Sequence, residues 1–330
     1  MLFEKLMVQT WFPLAGWAFI TNHGNIFLYY TTFEFRFQVF LKRWHQILQK
    51  SFFCDTMRKN EGEINGMFTM EQIKEQLSAL GVPRDSVVLV HSSLRAVGET
   101  EGRGEGFLTA LIEHCTAEGG LLCIPTHTWA FGGREFPLDL MNPETCIGTL
   151  PNIAAADRRG VRTTHPSHSM AVFGDCCRVA AFVAGEERSV TPCPPAGCYG
   201  KICEMGGSIL LVGVGHNRDT YLHCVEEMMD VPNRLSTVRQ RQVRYSDGRV
   251  EMRDHRGHHA EGIRDVSAHF PKYEPAFRHY GCIRDGLIGN APTQLCSARG
   301  MRDVLFLVKE RSGGIELLAD DAPLPEEYYK

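Results

Sequence analysis

Val87-Val88-Leu89-Val90-His91-Ser92-Ser93-Leu94 and, some thirty residues on, Leu121-Leu122-Cys123-Ile124-Pro125 are the two stretches that decide the fold. Each opens on an unbroken apolar run, as a strand covered on both faces of a parallel sheet requires. Between them Phe107, Leu108, Leu111 and Ile112 share one face of a helix expected from about Glu105 to Cys115, and Gly119-Gly120 breaks it. Strand, helix, strand in about 40 residues is a βαβ unit. Upstream, Thr69 caps a helix carrying Ile73, Leu77 and Leu80 at helical spacing, and Gly81 ends it. Downstream, Ile209-Leu210-Leu211-Val212 predicts a third buried strand ending at Gly213. Thr220 then opens a helix running to about Met229, stopped before Pro232. Residues 240–262 alternate around Asp247-Gly248 as a hairpin does, and a last helix spans about Ala298–Glu310. The expected architecture is α/β: a single domain with a central mixed sheet flanked by helices.

The 330-residue chain is 43% hydrophobic and 22% charged, with a net charge of −4. That balance excludes a surface built mainly to hold nucleic acid or anionic membrane. It is not uniform. Residues 1–66 hold 15 of the 32 aromatic residues and carry +2, from 7 Lys/Arg against 5 Asp/Glu, so residues 67–330 carry −6. Polar Thr21-Asn22-His23-Gly24-Asn25 interrupts the aromatic stretch, so it reads neither as a membrane span nor as a signal peptide. Residues 1–66 are therefore expected to be an aromatic-rich N-terminal extension, and residues 67–330 the functional domain. None of the twelve cysteines forms a CxxC pair, and free thiols in this number suit the cytoplasm. Adjacent Cys176 and Cys177 are expected to be buried.

Four places carry chemistry. His91-Ser92-Ser93-Leu94 sits at the C-terminal end of a strand, where α/β sheets bind ligands; it reads as a phosphate-holding loop or as an ordinary turn with a Ser cap. His165-Pro166-Ser167-His168-Ser169 offers two imidazoles, for proton transfer or for bonding to backbone. In Thr220-Tyr221-Leu222-His223-Cys224-Val225-Glu226-Glu227, helical spacing puts Thr220, His223 and Glu226 on one face. That is a general base with an orienting carboxylate, and Thr220 offers its hydroxyl beside free N–H groups; the alternative is a solvated helix face. Asp254-His255-Arg256-Gly257-His258-His259 has no acid or Cys framework for a metal and is expected to be a solvated loop. Gly213-Val214-Gly215 lacks the third glycine of a dinucleotide fingerprint, Arg218 standing there.

In this order, these segments together with Ile124-Pro125-Thr126-His127-Thr128, Cys198-Tyr199-Gly200-Lys201 and Ile288-Gly289-Asn290-Ala291 resemble the aminoglycoside 3-N-acetyltransferase family over about residues 70–310. The resemblance implies a family-specific α/β fold, distinct from the common N-acetyltransferase superfamily. It implies acetyl-CoA as cosubstrate, no metal, and acetylation of the 3-amino group of an aminoglycoside-like polyamine. By likeness His223 is the general base, Glu226 its partner, Thr220 the stabiliser of the tetrahedral intermediate, and His168 a supporting group. His91, Ser92, Ser93 and Leu94, with Tyr199 and Lys201, would contact coenzyme A. Ser167 and Cys198 stand where the family usually has Thr and Pro. An acidic cleft of Glu226, Glu227 and Asp230 would suit a polycation. The chain would be a monomer or homodimer in the cytoplasm, with neither nucleic acid nor membrane as partner. The other readings are acyl transfer to a different amine, such as a nucleoside or amino sugar, a silent coenzyme A-binding protein, and membrane attachment through residues 1–66.

Overall fold

The computed structural model describes residues 66–330; the extension expected at residues 1–66 lies, but for Gly66, outside them. Ten strands are β1 (Val87–Ser92), β2 (Leu121–Pro125), β3 (Leu138–Asp139), β4 (Val161–Arg162), β5 (Met170–Phe173), β6 (Ser208–Val212), β7 (Arg239–Arg244), β8 (Val250–His255), β9 (Ile283–Ile288) and β10 (Ala291–Ser297). Seven of them form the main sheet in the order β4-β5-β2-β1-β6-β10-β9. β1 runs parallel to both β2 and β6, while β5 against β2 and β10 against β6 turn antiparallel. The sheet is mixed, as expected: a parallel centre with an antiparallel pair on each side.

The helices are α1 (Met70–Leu80), α2 (Leu94–Val97), α3 (Arg103–Cys115), α4 (Thr149–Ala156), α5 (Cys176–Val183), α6 (Cys198–Glu204), α7 (Tyr221–Met228), α8 (Glu274–His279) and α9 (Ala298–Arg311). Thr69 and Gln72 form a reciprocal capping box on α1, and Gly81 closes it at φ 80°. The apolar runs are continuous because both faces are covered. Val88, Val90, Leu122, Ile124 and Leu210 pack under α1 and α3 with Ile73, Leu77, Phe107 and Leu111. Val87, Leu89, Leu121, Cys123, Ile209 and Leu211 face the other way, toward Ile202, Leu222, Val225 and Leu305 of α6, α7 and α9. The helix bearing His223 thus lies across the centre of the sheet.

Two expectations are corrected. Cys176 and Cys177 are exposed, because they occupy the first turn of α5, where Asp175 caps the backbone. The hairpin is real, but β8 ends at His255, and the segment after it turns inward instead of into solvent. Ser236 N–H donates to Gly257 O (2.9 Å) and His259 N–H to Arg234 O (3.0 Å). That return path buries His255 and half-buries His258, leaving only His259 exposed. With β3, β7 and β8 form a second, three-stranded sheet. Among the described residues no helix is long and apolar enough to cross a membrane.

Candidate active site

The loop after β6 begins at Gly213, where φ is +64° and an added Cβ would stand 2.4 Å from the Cβ of Ala96. Only glycine lets the loop pass that close to α2. The chain then reaches Asp219, whose carboxylate accepts from Tyr221 N–H (3.1 Å) and whose carbonyl accepts from Leu222 N–H (3.2 Å). His223 N–H goes to Thr220 O at 3.2 Å. These amides are therefore occupied, a correction to the expectation of free N–H groups beside Thr220. Thr220 does not cap the helix, and its hydroxyl makes no hydrogen bond among the described residues. On the buried side of α7, the Tyr221 hydroxyl donates to Ala298 O (2.8 Å), which fixes the helix against α9.

The face predicted to carry Thr220, His223 and Glu226 does so. His223 Nδ1 lies 3.0 Å from Glu226 Oε2. Glu226 Oε1 accepts from Arg234 Nε, and Arg234 Nη2 donates onward to Glu316 Oε1 at 2.9 Å. Glu226 and Arg234 are 5% and 6% exposed, so this is a desolvated chain of alternating charge ending on an imidazole. A carboxylate only accepts, so Nδ1 carries the proton and Nε2 offers its lone pair.

Four more rings and a fifth beyond them meet this one. His258 stacks on His223 with centroids 3.9 Å apart and planes at 21°. His168 lies edge-on to His258 at 4.8 Å, and His127 lies 4.4 Å from His168. His165 is 6.0 Å from His168 and 5.6 Å from His255. Hydrogen bonds tie the cluster together: His127 Nε2 to the Tyr199 hydroxyl (2.8 Å), and Ser167 Oγ to both His168 Nδ1 (2.8 Å) and His255 Nε2 (2.7 Å). Burial, and then mutual repulsion of the rings, holds His127, His168 and His258 well below the ordinary imidazole range. Burial likewise brings His165 down to about 3 and His255 to about 4. The rings around His223 are therefore neutral, and His223 itself is the one paired with a carboxylate.

The remaining expected residues fall in varied places. His91 is buried at the end of β1 with Nε2 unpartnered, its pKa lowered to about 4 by burial. Ser92 Oγ is buried and unpartnered, while Ser93 caps the single turn of α2 through Ala96 N–H (3.3 Å) and gives its own N–H to Val212 O (2.9 Å). Leu94 is half-buried beside them. Tyr199 is wholly buried and reaches the site only through His127. The Lys201 ammonium is taken by the carbonyls of Phe182 (2.7 Å) and Ala184 (2.6 Å) at the end of α5. The acidic cleft is corrected for Glu226 and Glu227, while Asp230 stays exposed. Glu226 faces inward to Arg234, and Glu227 accepts from Thr191 Oγ1 (2.5 Å) and Cys193 N–H (2.9 Å). Reading by segment missed His127, Arg234, Glu316 and the inward turn of His255 and His258. The one available signal was the density of histidine in four separate segments.

A family model described as aminoglycoside 3-N-acetyltransferase matches residues 89–308. An aminoglycoside N(3)-acetyltransferase III of Serratia marcescens is 28% identical over 257 residues, covering 71% of this chain and 94% of that one. A solved structure of aminoglycoside acetyltransferase AAC(3)-IVa, as a mutant in complex with apramycin, matches with a TM-score of 0.62 at 22% identity over 77% of this chain and 96% of the other. A binary structure of AAC-IIIb with CoASH matches with a TM-score of 0.63 at 21% identity over 74% and 98%. At those identities the structures speak for the fold alone, which is theirs and not that of the common N-acetyltransferase superfamily. With the family model spanning two thirds of its length, the chain belongs to the aminoglycoside 3-N-acetyltransferase family.

Proposed function

We propose that the chain transfers the acetyl group of acetyl-CoA directly to the 3-amino group of an aminoglycoside, with His223 as general base. The observation that carries the reading is the His223–Glu226 contact of 3.0 Å, backed by Arg234. An aminoglycoside amine is largely protonated near neutral pH. His223 Nε2 takes a proton from that ammonium and frees its lone pair, the nitrogen attacks the thioester carbonyl, and Glu226 steadies the resulting imidazolium. Collapse of the tetrahedral intermediate breaks the C–S bond, the departing thiolate takes the imidazolium proton, and the second nitrogen proton passes to solvent. A positioned base of this kind is worth about 10²- to 10⁴-fold in rate. The Thr220 hydroxyl, uncommitted at the head of the same helix face, is the donor assigned to the tetrahedral oxyanion or the departing thiolate.

The site's own thiol supports direct transfer. Cys193 Sγ lies 3.7 Å from His258 Nε2, and burial, then the nearby Glu227 carboxylate, pushes its pKa well above the usual thiol range. It stays protonated and is a poor nucleophile, so no acyl-enzyme is needed. His168 is assigned a supporting role through His258, and Tyr199 one through His127. His91, Ser92, Ser93 and Leu94 are assigned to the coenzyme, at the ends of the central strands where α/β sheets hold ligands. Residues 67–330 constitute the acetyltransferase domain in this reading, with the N-terminal extension outside it. All eleven described cysteines are free thiols, which supports a cytoplasmic enzyme.

Release of thiol from acetyl-CoA, measured against a panel of aminoglycosides, tests the activity. Turnover with gentamicin-like compounds, lost in His223→Ala while coenzyme A still binds, is the expected result. Full turnover by that variant removes His223 from the role of base. A second reading, acyl transfer to another amine, is favoured by the inward commitment of Glu226 and Glu227, which leaves neither to face a polycation. The same panel extended to nucleosides and amino sugars separates the two.

A further inference from the structure

The small sheet holds an arrangement that the acyl-transfer chemistry does not use. β7 and β8 pair so that Arg241 stands directly opposite Arg253, with Arg239 opposite His255. Period-2 alternation puts these four side chains on one face of the hairpin. Like charges facing across a ladder destabilise it, and among the described residues no carboxylate lies within ion-pair distance of Arg239, Arg241 or Arg253. The only acid on that face, Glu251, is taken by Arg249 and by the Tyr245 hydroxyl.

Each arginine keeps one donor out of water with nothing to receive it, while Arg253 Nη1 donates to the Tyr245 hydroxyl (3.3 Å). Arg241 Nη1 and Arg253 Nη2 are buried without a partner, and so is His255 Nδ1 on the same face. Gly132 lies against the Arg241 guanidinium so closely that an added Cβ would stand 2.6 Å from Nη2. The glycine leaves the fork its place. Arg253 also borders a cleft lined by Arg188, Ser189, Val190, Gln240, Met252 and Asp254, the last three from strand positions of the hairpin's other face. A buried donor is left unmade only at a cost, and two guanidinium forks with an imidazole between strands form a set that a tetrahedral dianion completes. His255 Nε2 then links this face to the catalytic cluster through Ser167.

We propose that Arg241 and Arg253, with Arg239 and His255 beside them, form a binding site for a phosphate-bearing ligand, one relay of hydrogen bonds away from the histidine cluster. The phosphate belongs either to coenzyme A or to a separate small molecule. The inference stands apart from the acyl-transfer reading, since inorganic phosphate is its probe.

Titration of the full-length chain with inorganic phosphate and pyrophosphate, against chloride at matched ionic strength, tests it by calorimetry and melting temperature. Saturable binding is expected, weakened about tenfold or more in Arg241→Met and Arg253→Met. Without anion, each Met variant is expected to melt no lower than the parent, because it removes a like-charge contact; this shows that the variants fold. Comparison of coenzyme A, dephospho-coenzyme A and pantetheine then separates the sources. If the substitutions weaken coenzyme A alone among acyl carriers, its phosphates occupy the site. If they abolish the phosphate response and leave coenzyme A untouched, a separate phosphate compound does. No saturable binding by the parent, or equal binding by folded Met variants, overturns the proposal.

Discussion

Lowering the pH from 7.5 to 5 should destabilise this protein through its buried histidines. His91, His165 and His255 are buried, with pKa values lowered to about 4, about 3 and about 4, chiefly by burial. In the unfolded chain each titrates near the ordinary value of about 6.5. The folded values lie below the unfolded one, so the neutral form favours folding. Their contribution is complete above about 6.5 and is lost as pH falls toward the folded values. At about 1.4 kcal/mol per unit, each ring gives up about 2 kcal/mol by pH 5, and the three about 6 kcal/mol, against a typical stability of about 5–15 kcal/mol. Glu186 and Glu227, pushed up by burial, act in the opposite sense and return part of it. The assay is circular dichroism melting across pH 7.5 to 5, where a drop on the order of 10 °C is expected for a domain of this size. His91→Phe removes a ring whose Nε2 has no partner, so it should take about 2 kcal/mol out of the pH-dependent loss. A melting temperature that is level between pH 7.5 and 5, or a His91→Phe profile parallel to the parent's, would refute the reasoning.

Three further outcomes are expected. Glu226→Gln should lower kcat/KM for acetyl transfer by about 10³-fold, because a charge about 4 Å from the imidazolium is worth about 4 kcal/mol at an effective dielectric of about 20; calorimetry should find coenzyme A affinity unchanged. Arg234→Met should destabilise the fold by about 3–5 kcal/mol in denaturant titration, since it leaves Glu226 buried without its cation. A chain beginning at Met67 should fold and retain turnover: it keeps the Phe68 backbone bonds to Glu99 O (2.9 Å) and from Glu101 N–H (2.7 Å) that seat the first strand-like residue. Loss of folding on that truncation would make residues 1–66 structural.

How much was legible depended on how local the signal is. α1, β1, β2, β6 and α9 lie within a residue or two of their expected bounds, because capping residues and apolar runs are written in consecutive positions. The pairing of His223 with Glu226 was legible for the same reason, one helical turn being a local distance. β9 and β10 were not expected, since each exposes part of one face, β9 lies at the sheet's edge, and Pro292 interrupts the pattern of β10. The histidine cluster was not legible as a cluster. Its members sit in four separate segments, and only the topology of both sheets brings His127, His168, His223 and His258 together. The solvated reading of Asp254–His259 failed because charge density predicts exposure only until a second element covers it. Arg234 and Glu316, 82 residues apart, carried no signal at all.

That last pair makes the site a matter of when as well as where. A ribosome builds the chain from its N-terminus, so His223, Glu226 and Arg234 exist for many codons before residue 316 is made. Until then Arg234 lacks the Glu316 carboxylate that shares its guanidinium with Glu226 in the folded chain. The balanced charge row is completed only once Glu316 has been added. Fragments cut between Arg311 and Glu316 would contain every α-helix and strand of the described fold and yet lack the counter-charge. Two-piece versions of this protein split there would regain on reunion both that counter-charge and the core contacts of Leu318, Leu324 and Tyr329.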